Sequence, residues 1–486
     1  MRFGRVLALA PLQVAQALVG LGAIAAFTRL MSAEEFGRYA IALSASMLAH
    51  TLLFTWAESA AFRFLPAARA EGRLKDHFAT LLALAAALCA TVGLGTGALL
   101  ALAGFTGDLA ALCAFAAGAA LLRFVIRVAR ESDRAMLDVG RYAAFETGYL
   151  LIGFALGVAL LMRFDLGAAA PFAGLLAAGV LVLLIDAPRL FSAARGGAPS
   201  SARATAYAAY GAPLALALSI DLAVQTIARF ILAANAGASE VGTYAAAFGL
   251  ARPLDLLFMA AGAAISPLLL AAYEERGSGA VREPARNGVT LMAAIAIPAA
   301  IGLAFVAAPL SALLVGDVLS AQAARALPWL ALAGIASGLN LYYLSEAFQL
   351  TRRTGLRAFV MLGPGAVQLA LTAMLAVTYG ATGAAMAAAA GAGVGSVMLF
   401  VVGRRLLPLP LPLGDIVRIA VAATVMAISL IASANADLLV RIVIGASSYA
   451  LAAFALDVGG IRSLADVSLV RAAARFLPFA EQSHAR

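Results

Sequence analysis

Tyr207-Ala-Ala-Tyr210-Gly211-Ala-Pro213-Leu opens an apolar stretch that carries Asp221, Gln225 and Arg229. The stretch turns between Asn235 and Glu240, then reopens with Val241-Gly242-Thr243-Tyr244-Ala245 and runs on to Arg252. An earlier segment repeats its second half: Glu35-Phe-Gly37-Arg-Tyr39-Ala40 matches Glu240-Val-Gly242-Thr-Tyr244-Ala245 at an offset of 205 residues. Gly72 falls on Gly277 at the same offset, and at a slightly larger one Arg141 matches Arg357 and Gly167-Ala-Ala matches Gly383-Ala-Ala. Self-similarity at one spacing marks a duplicated chain whose second copy begins near Tyr207.

Composition sets the class of the duplicated unit. Of the 486 residues, 64% are hydrophobic and only 12% charged, with a mean hydropathy of +0.97. A soluble domain has about a quarter of its residues charged and does not sustain apolar runs of some 20 residues, which recur here down the whole chain. The expectation is an all-α polytopic membrane protein. The first apolar run, from Val6 towards Phe27, follows Arg2 and Arg5; it is long enough to span and lacks a cleavage site, so it reads as a retained helix. The net charge of +9 does not point to nucleic acid, because the basic residues lie in alternate loops between apolar spans. Cys89 and Cys113 each sit inside an apolar span, no His pair has zinc-site spacing, and no metal or cofactor is expected.

Spans are expected near 7–29, 38–62, 77–103, 109–128, 142–162, 167–185, 208–232, 242–270, 288–308, 326–349, 357–378, 381–402, 415–433 and 438–457. This is about fourteen helices, as two pseudo-symmetric six-helix lobes and a final pair. The lobes cover 1–186 and 207–405 and are joined by a cytoplasmic linker at 187–206. The last two helices occupy 406–457, beginning with Leu406-Leu-Pro-Leu-Pro-Leu-Pro-Leu, a semi-rigid connector. Residues 458–486 space Ile461, Leu464, Val467 and Val470 along one face with Arg462, Arg471 and Arg475 among them, as in a basic amphipathic helix on a membrane surface or a solvated tail. Pro253 and Pro267 imply a kink in the eighth span.

Arg and Lys follow the even-numbered spans (Arg69, Arg73 and Lys75; Arg127, Arg130 and Arg134; Arg189, Arg195 and Arg203; Arg276, Arg282 and Arg286; Arg352 and Arg353; Arg404 and Arg405). The loops Gly104 to Asp108, Asn235 to Glu240 and Tyr379 to Thr382 are short and free of basic residues. Both termini are therefore expected in the cytoplasm, with the two copies pointing the same way.

Ionisable groups inside spans are costly and mark pathways or pairs. Asp221 lies about half way along the seventh span, with Arg252 and Asp255 at similar depth on the next, three residues apart and so on one face. They suit a hydrated cavity with a titratable switch, or an ion pair pinning two helices. Glu58, Arg63, Arg123 and Glu346 lie towards the cytoplasmic ends, where snorkelling or local pairing serves as well as function. Arg29 and Arg229 lie near the outer ends of the first and seventh spans and either hold a substrate phosphate or anchor helices. Gln13, Gln225, Asn340 and Gln368 are hydrogen-bonders for sugar or for neighbouring helices.

Arg29-Leu-Met-Ser-Ala-Glu-Glu-Phe-Gly37-Arg-Tyr39, Ala61-Phe-Arg63-Phe-Leu-Pro66 and Gly211-Ala-Pro213-Leu resemble the bacterial polysaccharide flippases of the multidrug/oligosaccharidyl-lipid/polysaccharide exporter superfamily. Members often carry Asp-Arg-Phe late in the seventh helix, where this chain has Ala228-Arg229-Phe230. The resemblance implies a non-enzymatic protein of the bacterial inner membrane that moves a polyprenyl-diphosphate-linked glycan between leaflets by alternating access. Its partners would be that glycan, membrane lipids and other polysaccharide assembly proteins. Arg suits a diphosphate through planar, permanently charged contacts. Arg252, Arg229, Arg29, Arg63, Arg123 and Asn340 are the substrate candidates, and Asp221, Asp255, Glu58 and Glu346 the coupling candidates. A proton- or sodium-coupled multidrug antiporter of the same superfamily is the alternative. A membrane glycosyltransferase or polymerase would need a large outer segment, and ATP hydrolysis would need a phosphate loop; the sequence offers neither.

Overall fold

The computed structural model describes residues 10–462, and all regular structure among them is helical. The first copy folds as α1 (Ala10–Leu30), α2 (Ala33–Leu53), α3 (Thr55–Ala70), α4 (Leu74–Leu102), α5 (Gly107–Ala135), α6 (Val139–Arg163) and α7 (Ala170–Ala194). The second begins with α8 (Ser201–Ala236), α9 (Ala238–Ala251), α10 (Pro253–Arg276), α11 (Arg282–Phe305), α12 (Ala307–Leu314) and α13 (Asp317–Leu339). A π turn at Asn340–Leu344 leads to α14 (Glu346–Leu350), α15 (Thr354–Leu406), α16 (Leu413–Ala432) and α17 (Leu438–Ala455). The tail beyond Arg462 and the basic flank at Arg2 and Arg5 lie outside the described residues.

Among the described residues, twelve helices are long and apolar enough to cross a bilayer. The number becomes thirteen if α2 and α3, bent by 46° at Phe54, count as one broken span. That is fewer than the fourteen expected, and the difference lies in α15. Its 53 residues count once, yet a straight helix of that length would measure about 80 Å against a hydrocarbon core of about 30 Å. Gly380 breaks it with φ 52° and ψ −130°, a conformation open only to glycine, and Gly383 then packs against the Leu375 backbone.

Several bounds also differ from the sequence reading. α5 continues past residue 128 to Ala135, and α7 past residue 185 to Ala194, because charged side chains in these extensions pair with one another instead of turning to water. The predicted eighth span is two helices, α9 and α10. They divide at Arg252, since Pro253 has no N–H to continue the ladder.

The chain forms two compact units. One comprises residues 10–249 with Ala312–Ala323 and Gly365–Ala387. In it, Phe54 stacks on Phe124 at 4.5 Å within a core completed by Leu81, Val128 and Tyr207; Ala57, Ala60 and Ala61 let α3 approach its neighbours closely. The Tyr207 hydroxyl meets His77 Nδ1 at 2.6 Å. α6 and α7 touch backbone to backbone where Gly174 faces Gly153 and Gly157, the small-residue contact by which membrane helices gain packing.

The other unit comprises Leu250–Ser311, Ala324–Pro364 and residues 388–462. Its core gathers Phe258, Leu269, Met292, Tyr343, Phe348 and Leu399. The proline-rich connector is packed into that core: Leu407 and Leu409 are buried, and the Tyr343 hydroxyl donates to the Pro410 carbonyl. α16 and α17 pack on α11 through Ile419, Ala422 and Ala453, and Arg441 donates to the Phe305 carbonyl at 2.9 Å, satisfying an end of α11. Large apolar side chains such as Leu94, Leu184, Ile185 and Leu439 are exposed along the helices, as a surface bathed by acyl chains requires.

Candidate translocation site

The duplicated Glu-x-Gly-x-Tyr-Ala segments meet in the first unit. Ser32 starts α2 with a capping box, its hydroxyl accepting from Glu35 N while Glu35 Oε2 accepts from Ser32 N at 2.8 Å. One turn on, Gly37 lies so close to the Ala238 carbonyl of α9 that a methyl group there would overlap it. The contact is reciprocal: a methyl on Gly242 would lie 2.9 Å from the Ala33 carbonyl oxygen and 3.1 Å from Gly37 N. Ala33 and Ala238 are themselves 205 residues apart, so a pseudo-two-fold axis passes between the two glycines.

Two turns deeper, about 10 Å along both helices, the same relation recurs. Ile24 of α1 packs against Gly249 of α9, and Arg229 of α8 donates to Ser44 Oγ of α2 at 2.5 Å. Each partner is again 205 residues from its counterpart. Helices α1, α2, α8 and α9 thus close around one axis at two levels.

The closure is sewn at its edges by polar groups of the same unit. Glu240 Oε2 accepts from Ala381 N at 2.7 Å beside the Gly380 break, as Glu35 lies beside Gly167 at the break before α7. Arg29 donates to the carbonyls of Leu313 at 2.7 Å and Leu314 at 3.4 Å, filling acceptors left open at the end of α12. Thr28 Oγ1 accepts from Gly316 N at 2.8 Å, and Thr243 donates to Gln322. Arg229 is different. Its guanidinium lies 5.8 Å from the Tyr244 ring and 5.3 Å from that of Phe248, its Nε is buried without a partner, and among the described residues no carboxylate pairs with it.

A second group of charges gathers around the lower ends of α5, α6 and α7 and the α2–α3 bend. Glu58 is buried, meets His50 Nε2 at 2.7 Å and lies 3.7 Å from Arg127, which reaches Glu131 at 2.6 Å. Arg123 holds Glu146 through two hydrogen bonds of 2.8 and 3.2 Å and covers the Tyr149 ring. Arg130 and Asp133 are fully buried; Arg130 pairs with Asp133 and Asp186, Arg189 reaches Asp133 at 2.6 Å, and Arg141 reaches Asp186. Phe145 lies against both Arg130 and Arg141. Buried charges of this kind are tolerated because each has a partner. Sequence reasoning missed Glu146, although it stands inside an apolar span and met the same criterion as Arg123. It also placed Arg130 and Arg134 in a loop and Arg127 at the very end of a span, where hydropathy alone puts closely spaced charges.

The remaining candidates are distributed as follows. Asn340 is buried with its amide occupied, Nδ2 donating to Ala392 O at 2.9 Å and Oδ1 accepting from Ser396 at 2.7 Å. Glu346 is buried beside the π turn and accepts from Ser266. Asp221 and Arg63 are exposed on α8 and α3 of the first unit. Arg252 and Asp255 are exposed in the second, one turn apart at the start of α10.

A sequence profile described as "Polysaccharide biosynthesis protein" matches residues 26–321. No curated protein sequence matches the chain. Among solved structures, it is similar to "Lipid II flippase MurJ, inward closed conformation", with a TM-score of 0.72 and 13% identity over 93% of this chain and 99% of that one. An inward-facing multidrug-resistance MATE family transporter gives a TM-score of 0.63 and 18% identity over 82% of this chain and 97% of that one. An outward-facing MATE family transporter gives 0.58 and 17% over 82% and 94%. At these identities the likeness is one of fold.

Proposed function

The chain belongs to the polysaccharide biosynthesis protein family, and from that premise we propose that it turns a polyprenyl-diphosphate-linked oligosaccharide from the inner to the outer leaflet. It does so by alternating access and makes or breaks no covalent bond. The membrane is the bacterial inner membrane, with both termini in the cytoplasm by the distribution of Arg and Lys. Partners are the lipid-linked glycan, membrane lipids and other polysaccharide assembly proteins.

The observation that carries this reading is the reciprocal closure at Gly37 and Gly242. At these glycines the two copies of a duplicated sequence approach backbone to backbone, about a pseudo-dyad, at the end that bears the Arg-free turn at Asn235 to Glu240. By the positive-inside rule that is the outer end. A contact between equivalent elements of two repeats can open by moving one repeat against the other, residues 1–186 against 207–405. The family and the lipid II flippase of like fold support a lipid-linked substrate, and the MATE transporters of like fold support an antiporter. An antiporter for cationic drugs favours an acidic path, whereas the unpaired cation at this closure is Arg229.

Arg229 and Arg63 of the first unit and, separately, Arg252 of the second are head-group candidates in this reading; Arg29 and Arg123 have their guanidinium groups committed to carbonyls and to Glu146. Asp221 of the first unit and, separately, Asp255 of the second are coupling candidates in this reading; Glu58 meets His50, and Glu346 accepts from Ser266. The test is deletion in cells. Loss of the chain is expected to remove surface polysaccharide and to accumulate the lipid-linked oligosaccharide on the inner leaflet. Normal polysaccharide with new drug sensitivity would instead establish the antiporter.

A further inference from the structure

The closure contains its own internal control. Position 24 of the first copy and position 229 of the second stand in equivalent places, 205 residues apart, and reach equivalent partners. The first copy fills the place with isoleucine on glycine, Ile24 on Gly249. The second uses arginine on serine, Arg229 on Ser44. An apolar side chain therefore suffices to pack this contact, and a guanidinium put there must be desolvated against a single hydroxyl. Every other charge named at the closure is saturated: Arg29 by carbonyls, Glu35 by the Ser32 cap, Glu240 by Ala381 N. Arg229 alone of these keeps a buried N–H without an acceptor and has no carboxylate. Tyr244 and Phe248 face it with ring surfaces that tolerate a cation but do not neutralise it.

We propose that Arg229 is a gate-coupled anion site: Ser44 holds it while the outer end is closed, and the diphosphate class of head group takes it when that end opens. The proposal rests on the flippase reading and adds to it the step at which the head group acts on the gate. A neutral hydroxyl is a weak partner for guanidinium, and a phosphate oxygen pair is a strong, bidentate one. An anion at Arg229 therefore binds the open form better than the closed form, and that differential affinity shifts the population towards opening. The same exchange reversed, Ser44 replacing the departing head group, would re-form the closure.

Ala40 reports on the closure, since it is buried between the two levels and Ala40→Cys is a small change. With Cys89 and Cys113 replaced by serine, a membrane-impermeant maleimide is applied from outside to right-side-out vesicles, with and without millimolar inorganic pyrophosphate. Pyrophosphate is expected to speed labelling at position 40 several-fold. Arg229→Ile, which installs the residue of the equivalent position, should keep slow labelling and abolish the acceleration; Arg229→Lys should retain part of it. Acceleration that persists in Arg229→Ile, or its absence in the parent protein, overturns the proposal. So does rapid labelling of Arg229→Ile without pyrophosphate, which would make Arg229 a clamp. Flipping of lipid-linked oligosaccharide is measured in the same vesicles. Vesicles that flip without any pyrophosphate response refute the gate-coupled site alone, whereas vesicles that do not flip refute the function on which it rests.

Discussion

Glu146 is 3% exposed and is held by Arg123 through both carboxylate oxygens. Removing the cation strands a buried charge, whereas removing both charges does not. Arg123→Ala is therefore expected to cost about 3 kcal/mol of stability, and Arg123→Met with Glu146→Leu to recover most of that loss. Thermal unfolding of the purified variants checks it. Equal loss in the single and double variants would mean that the pair does more than neutralise itself. The same residues show how legible charge is in a membrane sequence. Arg123 stands alone in an apolar run and is conspicuous, whereas Arg130 and Asp133 stand among other charges and read as solvated. Their burial depends on Asp186, Arg141 and Arg189 arriving from two other helices, which no local window contains.

At the scale of the element, glycine decides how closely α2 and α9 approach. Gly37 has no room for a methyl group against the Ala238 carbonyl, while Gly20 and Gly95 have nothing within 4 Å. Gly37→Ala is expected to hold the closure open, so that Ala40→Cys labels rapidly from outside and polysaccharide export falls. Gly20→Ala and Gly95→Ala should leave both unchanged, with a stability gain of about 0.5–1 kcal/mol from the helical backbone. Slow labelling in Gly37→Ala would show that the helices slide to accommodate the methyl and that the close contact is not the gate. The repeat was readable here because the two glycines are embedded in the same Glu-x-Gly-x-Tyr-Ala frame. Their mutual contact was not, since repetition says which residues are equivalent and leaves open whether equivalents meet.

For the whole molecule, class and repetition were plain in the sequence, and the number of crossings was less so. Apolar runs show where chain enters lipid, and the turn at Tyr379 to Thr382 marks the break at Gly380, but the bend at Phe54 sits inside such a run, where hydropathy does not change. Orientation rests on Arg placement and has its own check. Reporter fusions after Arg73, Arg195 and Arg353 should read cytoplasmic, and those after Gly107 and Gly237 extracytoplasmic. An extracytoplasmic reading at Arg195 would contradict two like-oriented six-helix copies.

The most direct measurement is flipping by the purified chain in proteoliposomes. A polyprenyl-diphosphate-linked oligosaccharide is placed in the inner leaflet, and its arrival outside is followed by a glycan-cleaving enzyme that cannot cross the membrane. The account predicts protein-dependent exposure of the inner-leaflet pool, slowed strongly by Gly37→Ala and left intact by Gly95→Ala. Exposure no faster than in empty vesicles, from protein that folds and inserts, would contradict it.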